Sequence, residues 1–107
     1  MTSLGDQFHA LADPTRLAIF DLIARDPSSV RVLSDQLPVS QPAVSQHLRV
    51  LREAALVQRS VDGARHIYRV DPAGLRSVRA WVEAMWDEAL DAFGEAAETA
   101  NTKEGRR

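Results

Sequence analysis

The stretch from Ser40 to Ala55 constrains the fold of this chain more tightly than any other. Ser40 is suited to cap a new helix, because its side-chain oxygen can accept one of the unpaired first-turn amides. Pro42 falls in the first turn, where a missing N–H costs little. Val44, Leu48 and Leu51 then recur at i, i+4 and i+7, one apolar stripe at helical spacing. The opposite face carries Gln41, Ser45, Gln46, Arg49 and Arg52, with Glu53 as its one acid and no Lys. Amide, hydroxyl and guanidinium groups are those that bond base edges and phosphates. By composition alone the face reads equally as a nucleic-acid-reading surface or as a plain solvated one.

The rest of the chain arranges itself around that helix. Leu4, Phe8 and Leu11 predict a short first helix with Asp6, Gln7 and His9 on its wet side. Asp13-Pro14 ends it and opens a second helix running to about Arg25. Leu17, Ile19, Phe20, Leu22 and Ile23 make the second helix apolar around much of its circumference, which predicts a central position. Asp26 to Ser29 reads as a loop, and Val30, Val32, Leu33 and Leu37 fit a short third helix. Pro38-Val39-Ser40 is the turn into the organising helix, so the pair makes a helix-turn-helix. Two β-prone runs, Leu56–Val61 and Ala64–Val70, flank Asp62-Gly63, a strong hairpin signal that puts a wing after the helix. Asp71-Pro72 starts a last helix expected to end near Ala97. Its apolar residues are Leu75, Val78, Trp81, Val82, Met85, Trp86, Ala89, Leu90 and Phe93. Such a broad stripe exceeds what one small core buries. Part of it covers the chain's own core, and Val78, Val82, Met85 and Ala89 stand at near-heptad spacing for a second helix. The expectation is a mainly α fold with one small β-hairpin: a single winged helix-turn-helix domain over 1–97, and a flexible tail over 98–107.

Charge separates the segments. The chain of 107 residues has a net charge of −2, yet 31–70 hold six Arg against three acids and both flanking segments are acidic. The basic excess therefore surrounds the Gln/Ser/Arg helix, as a localised anionic partner requires. The absence of Cys excludes disulfides, thiolate metal sites and cysteine catalysis. No signal peptide or membrane-length apolar run is apparent, so a cytoplasmic protein without membrane association is expected. Enzyme chemistry finds no support: Ser45 and His47 point in different directions along one helix, and no phosphate-binding Gly loop or catalytic spacing occurs. No catalytic residues are expected.

At this point Ala12-Asp13-Pro14-Thr15-Arg16, the run Val39 to Ala54, and Arg65-His66-Ile67-Tyr68 together resemble an ArsR-type winged helix-turn-helix repressor, over about Leu4 to Pro72. The resemblance implies a dimeric transcriptional repressor, with first and last helices as the dimer interface (Leu4, Phe8, Val78, Val82, Met85, Ala89). It also implies a palindromic double-stranded DNA operator near the chain's own promoter. Gln41, Ser45 and Gln46 match the family's base-contacting positions. Arg49 and Arg52 suit phosphates, as do Arg59 and Arg65 at the wing. His47 lies off the apolar stripe, as either a boundary residue within the domain or a phosphate contact. The chain departs from metal-sensing members in having no Cys and no His in its last helix. Glu83, Asp87, Glu88, Asp91 and Glu95 there favour hard cations over zinc or nickel, or are simply solvated. No metal site and no cofactor are expected, in keeping with a cysteine-free, non-metal-sensing type. A small effector near Trp81, Trp86 and Phe93 competes with a plain core reading of those aromatics. A winged-helix module for protein–protein contact and a sensor of a non-thiolate ligand are the alternative functions.

Overall fold

Capping residues divide the chain where the sequence predicts. The computed structural model describes residues 2–103, with side chains through 96. Ser3 and Asp6 form a reciprocal capping box at the start of α1 (Leu4–Ala12). The Asp13 carboxylate accepts the Arg16 N–H at 2.9 Å to open α2 (Pro14–Arg25). Ser29 caps α3 (Val30–Gln36), and Ser40 caps α4 (Gln41–Glu53) by accepting from Ala43 N–H. The Asp71 carboxylate takes the Ala73 N–H at 3.1 Å where α5 (Pro72–Lys103) begins. That helix runs to Lys103 rather than ending near Ala97, and the remainder of the expected tail lies outside the described residues.

The apolar stripe of α4 is the centre of the core. Val44, Leu48 and Leu51 are completely buried, together with Ile19, Ile23, Leu33 and Leu56. Burying each such side chain contributes about 1.5–3 kcal/mol. α2 meets this core with Ile19, Phe20 and Ile23, but Leu17 remains 43 % exposed. At 100° per residue Leu17 stands far round the helix from Ile19, and a domain this thin covers only one side of α2.

The hairpin pairs β1 (Val57–Asp62) with β2 (Arg65–Val70), antiparallel, from Val57 opposite Val70 to Asp62 opposite Arg65. Its tip is Gly63-Ala64, one residue later than Asp62-Gly63. Of these two tip residues, Gly63 alone has positive φ, at 65°. A turn with Gly first needs positive φ at that position alone, which spares Ala64. The expected loop at Ser28 is instead paired with the hairpin. Ser28 N–H donates to Tyr68 O at 3.0 Å and Tyr68 N–H to Ser28 O at 2.8 Å. This bridge fixes the wing against the start of α3.

Four segments meet at the end of α4. Ala55 N–H donates to Arg52 O at 2.9 Å and Leu56 N–H to Leu51 O at 3.0 Å, a Schellman cap with Ala55 in the left-handed region at φ 60°. Asp71 N–H donates to Leu56 O at 2.9 Å, seating α5 on this cap. The approach is so close that a Cβ on Gly74 would lie 1.5 Å from the Ala55 carbonyl oxygen. Gln7, expected on the wet side of α1, is buried here, its Nε2 donating to Gly74 O at 3.0 Å. Thr2 Oγ1 donates to Glu53 O at 2.6 Å. The Arg16 guanidinium closes the other end of α1, donating from Nε to Ala10 O at 2.8 Å.

Beyond this junction α5 leaves the body of the domain. Val78, assigned to a contact with a second helix, is instead buried in the chain's own core; it lies between Gly74 and Trp81, two α5 positions that touch α1. Leu4 is half-buried at the core margin, while Phe8, Val82, Met85 and Ala89 are exposed. Phe8 stacks edge-on to Trp81 with ring centroids 5.3 Å apart, joining α1 and α5 into one apolar face. Trp86, Leu90 and Phe93 extend that face, Phe93 being 72 % exposed.

Two stability tests follow from this geometry. Gly74→Ala drives a methyl group into backbone and is expected to cost about 3 kcal/mol. Ala55→Gly relieves the left-handed strain and is expected to raise stability by about 0.5–1 kcal/mol, after the entropy of the added glycine. Thermal melts at fixed protein concentration measure both, and a neutral Gly74→Ala would refute the close approach. The Asp13 carboxyl is held below its usual range chiefly by the Arg16 backbone N–H, with the charges of Arg16 and His47 acting in the same direction. A depressed folded pKa means the contribution is present above the ordinary carboxylate range and lost as pH falls through the folded value. The stability gap between wild type and Asp13→Asn is therefore expected in full near neutral pH and should narrow progressively as pH falls below the ordinary carboxylate range.

Candidate nucleic-acid interface

The N-terminus of α4 is exposed because α3 and the wing flank it without covering it. Leu37 ends α3, Val39 N–H folds back to Leu37 O at 2.8 Å, and Ser40 restarts the helix. Burial of Val44, Leu48 and Leu51 then turns Gln41, Ser45, Arg49 and Arg52 outward along one line. At 100° per residue the steps of four, four and three keep that line within one face.

That face forms one wall of an open groove. α3 supplies Ser29 and Arg31, α4 supplies Gln41, Ser45, Arg49 and Arg52, and the wing supplies Arg59, Arg65, His66 and Tyr68. Five guanidinium groups thus converge from three elements. The Ser28–Tyr68 bridge holds the distance between the α3 wall and the wing wall, so the charges are preorganised. Among the described residues one of these arginines is ion-paired: the Arg49 Nε donates to Glu53 Oε2 at 3.3 Å. Both partners are about two-thirds exposed, and such a pair contributes only about 0.3–0.5 kcal/mol. A groove with this donor set offers charge-assisted bonds to phosphate along its rim and amide and hydroxyl bonds to base edges at its floor.

The eight residues singled out from sequence divide in this geometry. Gln41, Ser45, Arg49, Arg52, Arg59 and Arg65 share the groove. Gln46 is exposed but stands outside it, one helical step round from Ser45. His47 is half-buried, and its Nδ1 is enclosed without a hydrogen-bond partner. Its ring belongs to the inner side of α4, near enough for its charge to act on Asp13. Of the two readings of His47, the placement is that of the boundary residue. Sequence reasoning passed over Arg31 and His66. Arg31 lies in the first turn of α3, two residues after the Ser29 cap, and that lone basic residue was the available signal. His66 follows Arg65 in the strand facing the groove, a placement that depends on strand register.

Among the described residues no three His, Asp or Glu side chains gather closely enough to hold a metal ion. Among them, too, no helix is long and apolar enough to cross a membrane.

With this geometry established, comparison with known proteins is specific. A family model described as a helix-turn-helix domain matches residues 11–59. HTH-type transcriptional regulator Rv2034 of Mycobacterium tuberculosis is 44% identical over 88 residues, which span 82% of this chain and 82% of that protein. An ArsR-like transcriptional regulator from Rhodococcus sp. RHA1 superposes with a TM-score of 0.71 at 34% identity, covering 88% of this chain and 92% of its own. The homodimeric winged helix-turn-helix DNA-binding domain of Mb0332 from Mycobacterium bovis, described as a possible ArsR-family transcriptional regulator, superposes at 0.65 with 27% identity. That match covers 79% of each chain.

Proposed function

The chain belongs to the ArsR-type family of winged helix-turn-helix transcriptional regulators, and we propose that it works as a homodimeric repressor on a palindromic operator near its own promoter. The observation carrying this reading is the groove itself: five guanidinium groups around the Gln41–Ser45 line of α4. Gln41 can bond the N6/N7 edge of adenine in two places, and Ser45 can donate or accept. The arginines of α3, the end of α4 and the wing supply phosphate contacts that set register without reading sequence.

The dimer rests on the apolar face of α1 and α5. Phe8, Trp81, Val82, Met85, Trp86, Leu90 and Phe93 are all exposed in the single chain. A contiguous face of this kind marks an interface. The Mb0332 domain, built on the same fold, is homodimeric. A two-fold axis through this face would set two α4 helices in successive major grooves, roughly 34–36 Å apart. Repression is then steric occupation of a promoter. No catalytic chemistry, metal or cofactor is part of this mechanism, and its place is the cytoplasm, with the DNA.

Binding to the chain's own upstream DNA, against a scrambled duplex, tests the reading. Affinity should fall about 10³–10⁵-fold between about 50 and 200 mM salt while a preference for the upstream sequence persists. Arg31→Ala, Arg52→Ala and Arg59→Ala should each flatten the salt slope by about 0.9 and weaken both duplexes alike. Absence of binding at low salt would reject the proposal in favour of a protein-contact module. Sedimentation of Val82→Lys/Met85→Lys provides the second test. The expected outcome is a folded monomer where wild type is a dimer, and an unchanged dimer would remove these residues from the interface.

A further inference from the structure

We infer that Glu53 is a positioning residue for DNA selectivity, biasing the orientation of Arg49 and lowering the groove's attraction for phosphate in general. This rests on the DNA-binding reading given above. Glu53 is the one carboxylate on α4, and it stands among the arginines. Besides bonding Arg49, it lines a smaller recess with Arg52, Gln58 and Arg59, between the end of α4 and β1. A negative charge there opposes the binding of any polyanion, so its presence needs a reason.

Helix stability does not supply one. Glu53 lies in the last turn of α4, at the negative end of the helix dipole, where a carboxylate is disfavoured. The order of the pair, Arg before Glu at i,i+4, is the weaker of the two orientations. An exposed pair of this type contributes little in any case. Local rules would place Lys or Arg at this position.

The geometry points to orientation instead. The Arg49–Glu53 bond uses Nε, which leaves both Nη groups of Arg49 free to donate. The carboxylate itself has a fixed base, because the Glu53 carbonyl receives the Thr2 hydroxyl and the Schellman cap follows immediately. Arg49 is thereby biased about twofold toward one orientation on the wall of the groove that also carries Ser45. An arginine without this partner would reach phosphates in many registers, raising affinity for every sequence. Glu53 removes about one unit of the groove's net charge, a loss that falls on sequence-independent binding most heavily because that binding is almost wholly electrostatic. Selectivity is the ratio of the two affinities, so it rises.

The test compares the full chain with Glu53→Gln, which keeps an acceptor at the same position without its charge. Upstream and scrambled duplexes are titrated across about 50–200 mM salt. Glu53→Gln should bind scrambled DNA about three- to tenfold more tightly, with upstream DNA gaining less, so that the preference falls. Its salt slope on scrambled DNA should steepen by about 0.9, one further phosphate contact. In an Arg49→Ala background the same change should still tighten scrambled DNA through the lost charge, but the fall in preference should be smaller than with Arg49 present. Equal melting temperatures would keep the effect apart from folding. Unchanged affinities in Glu53→Gln, or an equal gain on both duplexes, would overturn the role of Glu53 while leaving the DNA reading intact. A wild type that binds neither duplex at low salt would overturn both.

Discussion

The carbonyl oxygen of Ala55 occupies the space that a side chain on Gly74 would need, and the arrangement of the whole molecule depends on that approach. It lets the first turn of α5 lie directly on the cap of α4. Leu56 O then receives the Asp71 N–H, and Gly74 O receives the Gln7 amide. The DNA-facing helix, the wing and both helices of the proposed dimer face thus radiate from one hydrogen-bonded junction. In a two-fold assembly, the separation of two α4 helices would be set by how α1 and α5 leave it. A small error in angle here would be magnified along α5, a helix about 48 Å long at 1.5 Å per residue.

A second constraint governs the groove. The Ser28–Tyr68 pair of backbone bonds ties the wing to the start of α3, so Arg59 and Arg65 stand at a set distance from Arg31. Guanidinium groups on long flexible stems lose entropy on binding unless their bases are fixed. Here every contributing element is anchored close to its arginine: Ser29 caps the helix of Arg31, and the Schellman cap follows Arg52. Charge without this framework would attract DNA but not register it.

Much of this was legible in the linear chain because it depends on local rules. The caps at Asp13, Ser40 and Asp71, the stripe of Val44, Leu48 and Leu51, and the hairpin around Gly63 each follow from short-range geometry. The six groove residues shared with the sequence reading came from the family resemblance, laid over a helix and a hairpin that local rules place. Where local rules were misleading, a distant partner intervened. Gln7 reads as solvated by its type, but a carbonyl sixty-seven positions away satisfies its amide and permits burial. Val78 reads as part of a coiled-coil seam, but it is buried on the stretch of α5 that touches α1. Gln46 and His47 share a helix with Ser45, and rotation about the helix axis separates the three.

The sequence by itself therefore determined the elements, their order, the polarity of each face and the segment that carries the positive charge. These are properties of spacing and residue type, acting over a turn of helix or a pair of strands. The tertiary structure decided which faces meet: that Arg31 and His66 join the groove, that Ser28 is paired, that Leu17 stays wet, and that Arg59 of the wing comes up beside Glu53. Such outcomes depend on close packing and on hydrogen-bond partners far along the chain, and no short-range pattern encodes either.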